Sequence, residues 1–441
     1  MSLLGAIRTM MVQIRNSVGR EGRMGNPWNE WVPGVLNRRQ MNQLLDEGFI
    51  TYPSEKPKIG HSSMDLTLSD EAYQMTGGSV KPSQRSYSWF IKKHGLATQL
   101  PTPENGVFEL KRRTTYVFRL QERLDAALYE GGIYGQATAK SSVGRVDVLA
   151  RLIVDGMNAY ESFDPRGMKN ASGYMYLEIT PITFNVKVKV NDSLSQLRLF
   201  YGAPDDVAIH AEELFQTVFR GSGHRDGSLS VNLEEAVIGD MKGTPCKGVA
   251  FRSKKVGSGA IEESIPLWSP NKNDHLPSPI EFWDIGITDH RKRLHIEDDR
   301  FYILRSKEKL YVPKGIAIYC RASDETMGEM RIHYAGFVHP FFGLYREDNT
   351  QGTPLIFEVR GHQVPVSLGH GEKLASLVFY RMSEDPEDLT PAQQLKEAEG
   401  YGSQDLNLSN RFAEWPTHIK RNEDGSMEIM EGAQNGTVEA T

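Results

Sequence analysis

A chain of 441 residues, 39% of them hydrophobic, is long enough for two large domains or three ordinary ones. Its mean hydropathy of −0.46 and the absence of any apolar run near the ~20 residues of a membrane span mark a soluble protein with no membrane partner. The 51 basic and 57 acidic residues give a net charge of −6, which excludes a broad nucleic-acid-binding surface. The two cysteines, Cys246 and Cys320, exclude a disulfide framework and a paired-cysteine zinc site.

Cysteine usage fits a reducing, cytoplasmic setting. Residues 1–26 carry Arg8, Arg15, Arg20 and Arg23 against one acid, Glu21. This pattern is shared by a basic surface helix, a transit segment and a vector-derived start, and the composition does not separate them. A helix is expected from Asn37, a suitable N-cap, to Gly48, with Met41, Leu44 and Leu45 on one face. Met64-Asp65-Leu66-Thr67-Leu68 alternates as a strand does. A loop rich in Ser, Lys, Gly and Pro is expected to about residue 104. Short strands follow around 108–110, 116–120, 135–138, 149–154, 174–179, 184–190 and 195–200. That density indicates an all-β barrel or jelly-roll-like domain. A helix is expected over Asp205–Phe219, then a linker at Gly221–Gly227.

After the linker the pattern restarts. Leu229–Leu233 echoes the strand at Met64–Leu68. Cys320-Arg321-Ala322-Ser323 echoes Ala139-Lys140-Ser141-Ser142, and Leu355–Val359 echoes Met175–Ile179. Arg321 stands 181 residues after Lys140, and Glu358 stands 180 after Glu178. Matched landmarks in one order indicate a duplicated domain. The boundaries are an N-terminal extension 1–34, a first repeat 35–202, a helix and linker 203–227, a second repeat 228–386, and a C-terminal lid and tail 387–441. A helix near Pro391–Glu399 opens that last part, and disorder is expected from Asn422.

The copies differ chemically. Lys140, Ser141, Ser142 and Arg145 offer two cations and two hydroxyls in one small volume, suited to an oxyanion. The second copy has Ala322, Asp324, Glu325 and Thr326 there, and two carboxylates repel a polyphosphate. A triphosphate therefore belongs with the first loop. Glu178 and Glu358 occupy the same register in apolar strands. His295-Ile296-Glu297 and Pro245-Cys246 occur in the wrong order for a zinc deaminase. His339, His362 and His370 show no metal-ligand spacing, so no metal ligands are assigned.

Taken together, these segments resemble dCTP deaminase, of the dUTPase-like superfamily, as two tandem copies covering most of the chain. Leu45-Asp46-Glu47-Gly48 followed by Ser63-Met64-Asp65-Leu66 is similar to the family's opening. Ser141-Ser142-x-x-Arg145 is similar to its phosphate-binding and catalytic loop, and Leu177-Glu178-Ile179 to the strand bearing its catalytic glutamate. Ser195-Gln196-Leu197 is similar to a later strand motif, and Tyr401-x-x-Gln404 to its C-terminal closing segment.

The resemblance implies a mainly β fold of two dUTPase-like (β-clip, distorted jelly-roll) domains with a few short helices. It implies a hydrolase that converts dCTP to dUTP and ammonia by metal-free attack of water on C4, without zinc. In this reading Glu178 is general base and then acid, Ser141 holds the water, and Arg145 orients the glutamate. Lys140, Ser142 and Gln404 contact the triphosphate, which carries Mg²⁺, and Asp164 faces the sugar. Gln196 and Tyr401 complete the substrate-binding set. A homo-oligomer, dimer or trimer, is implied, with sites between repeats.

Four departures stand out: Lys140 replaces an arginine, Met168–Ala171 is an insertion, Tyr160-Glu161-Ser162-Phe163 before Asp164 fit the family poorly, and His339 replaces the aspartate in the second copy. Because sites in this superfamily lie between neighbouring subunits, Glu358 is the rival base, with Glu178 preferred on motif quality. The functional alternatives are a dUTPase, a bifunctional enzyme carrying dCTP through to dUMP, and a non-catalytic nucleotide-binding protein.

Overall fold

The computed structural model describes residues 28, 30–53, 55–83, 85–129, 131–170, 172–220, 224, 226–241, 244–255, 263–271, 274–323, 330–333, 336–345, 352–402, 405–416 and 418–430. Trp28 and Trp31 belong to one unit, where they stack at 5.0 Å between ring centroids. The basic stretch 1–26 lies outside the described residues. Val32–Thr441 forms the other unit. No described helix is long and apolar enough to cross a membrane.

The larger unit opens with helix α1 (Arg38–Asp46). Asn37 caps it, accepting from the Gln40 backbone, while the Gln40 side chain accepts from the Asn37 backbone. The first sheet contains β1 (Met64–Met75), β2 (Tyr116–Leu124), β3 (Ile133–Ala139), β4 (Val148–Val154), β5 (Ser162–Phe163), β6 (Tyr174–Pro181) and β7 (Ser193–Tyr201), with the short helix α2 (Ser141–Gly144) between β3 and β4. Strand order is β4-β6-β2-β1-β7-β3-β5. Met64, Leu66 and Leu68 are buried while their neighbours are not, as the alternation predicts.

The second sheet contains β8 (Ser228–Asn232), β9 (Phe301–Leu310), β10 (Ile316–Ala322), β11 (Met330–His333), β12 (Phe337–Val338), β13 (Thr353–Gly361) and β14 (Lys373–Arg381). Its order is β11-β13-β9-β8-β14-β10-β12. Each position holds the strand numbered seven later than its counterpart in the first sheet, so the topology repeats. Helix α3 (Pro391–Glu397) follows, capped by a reciprocal Thr390–Gln393 pair.

Three departures from expectation have local causes. Helix Tyr87–Lys93 and strand Ala97–Leu100 occupy the stretch expected to be loop. The helix buries only Tyr87 and Ile91, one turn apart, which leaves little periodic signal in a Ser- and Lys-rich stretch. The helix expected over 205–219 is two short helices, Pro204–Val207 and Glu212–Phe219. Between them Ala208–Ile209 pairs with Tyr380 and Phe379 on β14, so an available sheet edge overrides helix propensity. The tail expected to be disordered from Asn422 contains a hairpin, Ile419–Arg421 with Met427–Ile429. It turns at Gly425, whose φ is +84°, and buries Ile419 and Met427.

The two sheets are tied together repeatedly. Val35, Phe200, Val207, Ala317, Tyr380 and Met382 make a shared apolar cluster. Ile265–Pro266 of the second half adds a parallel strand beside Val186–Lys187 of the first. Arg198 of β7 is fully buried and donates to the carbonyls of Ile318 (2.8 Å) and Val338 (3.3 Å), and to the Ser62 hydroxyl (3.2 Å). Replacing Arg198 by Ala leaves those acceptors buried without a donor. Denaturant unfolding is therefore expected to show a loss of about 3 kcal/mol, at the upper end for charged hydrogen bonds. A loss within experimental error would mean that Arg198 does not join the repeats.

Candidate active site

Strand β3 ends at Ala139, and Lys140 keeps extended backbone before the chain winds into α2. Val143 N–H and Gly144 N–H both turn back to the Lys140 carbonyl, at 2.8 and 3.2 Å. This tight turn leaves Ser141 exposed and Ser142 and Arg145 half-buried, with Val143 and Gly144 inside. The Lys140 ammonium reaches Asp65 Oδ2 at 2.6 Å. Gln196 lies on β7 between Asp65 of β1 and Thr138 of β3.

Glu358 comes to this loop from the second repeat. It sits on β13, opposite Ile303 of β9 and His333 of β11, and is 4% exposed. Its carboxylate presses on the backbone of Gly144: a Cβ built there would lie 2.7 Å from Oε2 and 2.9 Å from Cδ. Gly144 is therefore small because the carboxylate occupies the place of a side chain. Burial raises the Glu358 carboxyl well above the usual range; the Arg145 charge opposes this and the Asp147 charge adds to it. Burial first, and then Glu358, pushes the neighbouring Cys320 thiol up to about 12.

Two residues further along β13, Arg360 points to the same side of the strand. Its Nη1 donates to Asp147 Oδ2 and Thr183 Oγ1, both at 2.6 Å, and its Nη2 to Asp299. The Arg360 and Asp147 side chains are 5% and 0% exposed. One strand face of the second repeat thus grips the first repeat at the residues that follow α2.

Glu178 has a different environment. On β6 it stands directly opposite Arg151 of β4, whose guanidinium donates to Oε1 at 3.1 and 2.5 Å. Ser79 donates to the same oxygen at 3.1 Å, and the Tyr160 hydroxyl to Oε2 at 3.1 Å. The Arg151 guanidinium also lies 4.0 Å from the centre of the Tyr160 ring. These partners all belong to the first repeat, and none comes from the Lys140–Arg145 loop. Within this chain the loop therefore lies against Glu358, while Glu178, the residue preferred on motif quality, is enclosed by partners of the first repeat. Asp164 makes its contacts within its own turn, with Arg166 Nε at 2.9 and 3.0 Å, and this holds its carboxyl below the usual range. The Tyr401 side chain and Gln404 lie outside the described residues, as do Asp324, Glu325 and Thr326.

One further residue joins the loop. Arg411, from the C-terminal segment, is 6% exposed and donates from Nη2 to Ser142 Oγ at 3.4 Å. Its Nε and Nη1 are buried without a hydrogen-bond partner among the described residues. Burial draws its guanidinium down to about 10, against the Asp192 charge, and Asp192 itself is raised to about 6, mainly by burial. The only trace of this residue in the sequence is an arginine between Asn410 and Phe412, with no spacing to mark it. Lys140, Ser142 and Arg411 together make a cradle for an anion.

Sequence families agree with this architecture in two consecutive parts. The N-terminal domain of 2'-deoxycytidine 5'-triphosphate deaminase matches residues 32–203, and the C-terminal domain matches residues 260–412. The chain belongs to the dCTP deaminase family. It is similar to the crystal structure of 2'-deoxycytidine 5'-triphosphate deaminase from Agrobacterium tumefaciens, with a TM-score of 0.67 and 24% identity. The match covers 80% of this chain and 97% of that one, and shows a shared fold. No curated protein sequence matches the chain.

Beside the Glu178 network of this family member, Glu161 is raised to about 7 by burial, against the Arg151 charge. A carboxyl raised in the folded state contributes stability in full below its unfolded value of about 4.3, and loses it as pH climbs to about 7. Glu161→Gln is expected to remove that loss. The melting temperature of the variant should gain on wild type between pH 5 and pH 8, and equal slopes for the two proteins would contradict the assignment.

Proposed function

We propose that the protein hydrolyses dCTP to dUTP and ammonia at a composite site made of the first repeat's loop and the second repeat's Glu358. The observation that carries this reading is the Glu358 carboxylate seated on Gly144, within the field of Arg145. A buried carboxyl with raised affinity for its proton suits a group that must accept a proton and return it. In this reading Glu358 takes a proton from water as the oxygen adds to C4, and passes it to N3. The new C4 hydroxyl then gives its proton through Glu358 to N4, the C4–N4 bond breaks as the C4 carbonyl forms, and ammonia leaves. Ser141, exposed at the head of the loop, holds the water. Arg145 orients Glu358 and offsets charge that develops on the ring.

Lys140, Ser142 and Arg411 take the phosphates, with Gln196 beneath them on β7 and the segment of Tyr401 and Gln404 closing over the nucleotide. Mg²⁺ carried by the triphosphate neutralises part of its charge when bound. Asp65 and Asp192, beside Lys140 and Arg411, offer oxygen donors of the kind it takes. Asp164 remains a candidate sugar contact through the resemblance. The same resemblance supports a homo-oligomer, which light scattering would test.

Ammonia release from dCTP, measured beside product identity, tests the reaction: dUTP is expected rather than dUMP and pyrophosphate. Glu358→Gln is expected to lower kcat by about 10²–10⁴-fold with the fold intact. Glu178→Gln should act chiefly on stability, through the Arg151, Tyr160 and Ser79 network. If Glu358→Gln retains full turnover while Glu178→Gln loses it in a folded protein, the assignment of the base is wrong.

Gly144→Ala drives a methyl into the carboxylate. It is expected to cost on the order of 10²-fold in kcat, the scale associated with misplacing a reacting group by about 1 Å. Arg411→Gln should raise KM for dCTP and leave kcat nearly unchanged. An unchanged KM would remove Arg411 from the phosphate cradle.

A further inference from the structure

Three residues far apart in sequence meet at a junction that the deamination chemistry does not use. His61 lies just before β1, one residue from the Ser62 that binds Arg198. His339 follows β12 in the second repeat. Glu397 closes α3, the helix that opens the C-terminal segment. His61 Nε2 is 2.9 Å from Glu397 Oε1, and His339 Nε2 is 3.7 Å from Glu397 Oε2. The three donor atoms all lie within 4.8 Å of one another. The side chains are 14%, 15% and 18% exposed, so the group is shielded but still reachable by solvent.

The surroundings prepare these atoms as ligands. His339 Nδ1 lies 2.6 Å from the Pro340 carbonyl, so that nitrogen carries the proton and donates it, and Nε2 keeps its lone pair. The two imidazoles stack at 5.1 Å between centroids, with the Phe341 ring edge-on to His61 at 5.3 Å and Phe342 edge-on to His339 at 5.9 Å. Such an apolar wall limits ring rotation. Glu397 Oε2 is buried and, among the described residues, has no hydrogen-bond partner, the His339 ring nitrogen standing 3.7 Å away. An oxygen left in that state is costly unless a proton or a cation reaches it.

We propose that His61, His339 and Glu397 form a divalent-metal site of the zinc type, with a fourth position left for water. Tetrahedral ligands about 2.0–2.2 Å from an ion stand about 3.4 Å from one another; the 2.9 and 3.7 Å separations from Glu397 bracket that value, and side-chain rotation supplies the adjustment. The ion would be structural. It would fasten α3 to both repeats and so hold the C-terminal segment that delivers Arg411 to the loop. The three ligands belong to three different parts of the chain, so no spacing rule marks them in the sequence.

Chelator-stripped full-length protein titrated with Co²⁺ tests this site without reference to activity. One equivalent per chain is expected to give the visible d–d band of four-coordinate Co²⁺, displaced by Zn²⁺, and Zn²⁺ should raise the melting temperature. His61→Gln and Glu397→Gln, checked by circular dichroism for an intact fold, should each weaken Co²⁺ binding by at least about 10-fold, the lower end for losing a group that supports a metal. His339→Ala should do the same. A featureless Co²⁺ spectrum, or a band that survives in the two glutamine variants, would overturn the assignment and leave the cluster as a hydrogen-bonded triad.

Discussion

Arg360 and Asp147 form a buried ion pair across the two repeats, and the geometry of the loop follows from it. A guanidinium this deeply buried is tolerable only if its donors are satisfied, and Asp147 and Thr183 accept from Nη1 while Asp299 accepts from Nη2. Removing either partner strands a charge, so the pair resists any sliding of β13 against the first repeat. Side chains alternate along a strand. A shift of one residue would therefore turn both Arg360 and Glu358 to the wrong face. The pair acts as a register lock, and the register is what places a carboxylate on Gly144.

Much of this fold is written in local patterns. Alternation at Met64–Leu68, the Asn37 cap and the Thr390–Gln393 box each specify their element, and the equivalent order of landmarks reveals two copies before any sheet is seen. What the patterns miss is structure stabilised from outside the segment. Ala208–Ile209 is a strand because β14 offers it an edge. The hairpin at 419–429 exists because Ile419 and Met427 find apolar cover, and because Gly425 fits against the Ile285 carbonyl, where a Cβ would lie 2.1 Å away. Neither cause is visible within a window of ten residues.

The candidate site divides in the same way. Lys140, Ser142 and Arg145 are legible because a turn after a strand gathers them locally. The choice between Glu178 and Glu358 is not, because both stand at one register in equivalent strands. It depends on which sheet face packs against the loop, and that is a property of how the repeats meet. Arg151, directly across from Glu178, is the one sequence signal that separates them, since an opposite charge at the facing position marks a paired carboxylate. Arg411 has no such neighbour in sequence, and only burial beside Ser142 singles it out.

Fusing two copies into one chain removes the demand that they stay equivalent. When identical subunits meet, each loop and each glutamate must serve alike. Within a tandem chain the loop of one copy can work with the carboxylate of the other, and the remaining carboxylate is released to build structure. Glu178 has Arg151 and Ser79 on one carboxylate oxygen and Tyr160 on the other. Glu358 lies buried against Gly144 of the first loop, with Arg145 near it and Arg360 anchoring its strand.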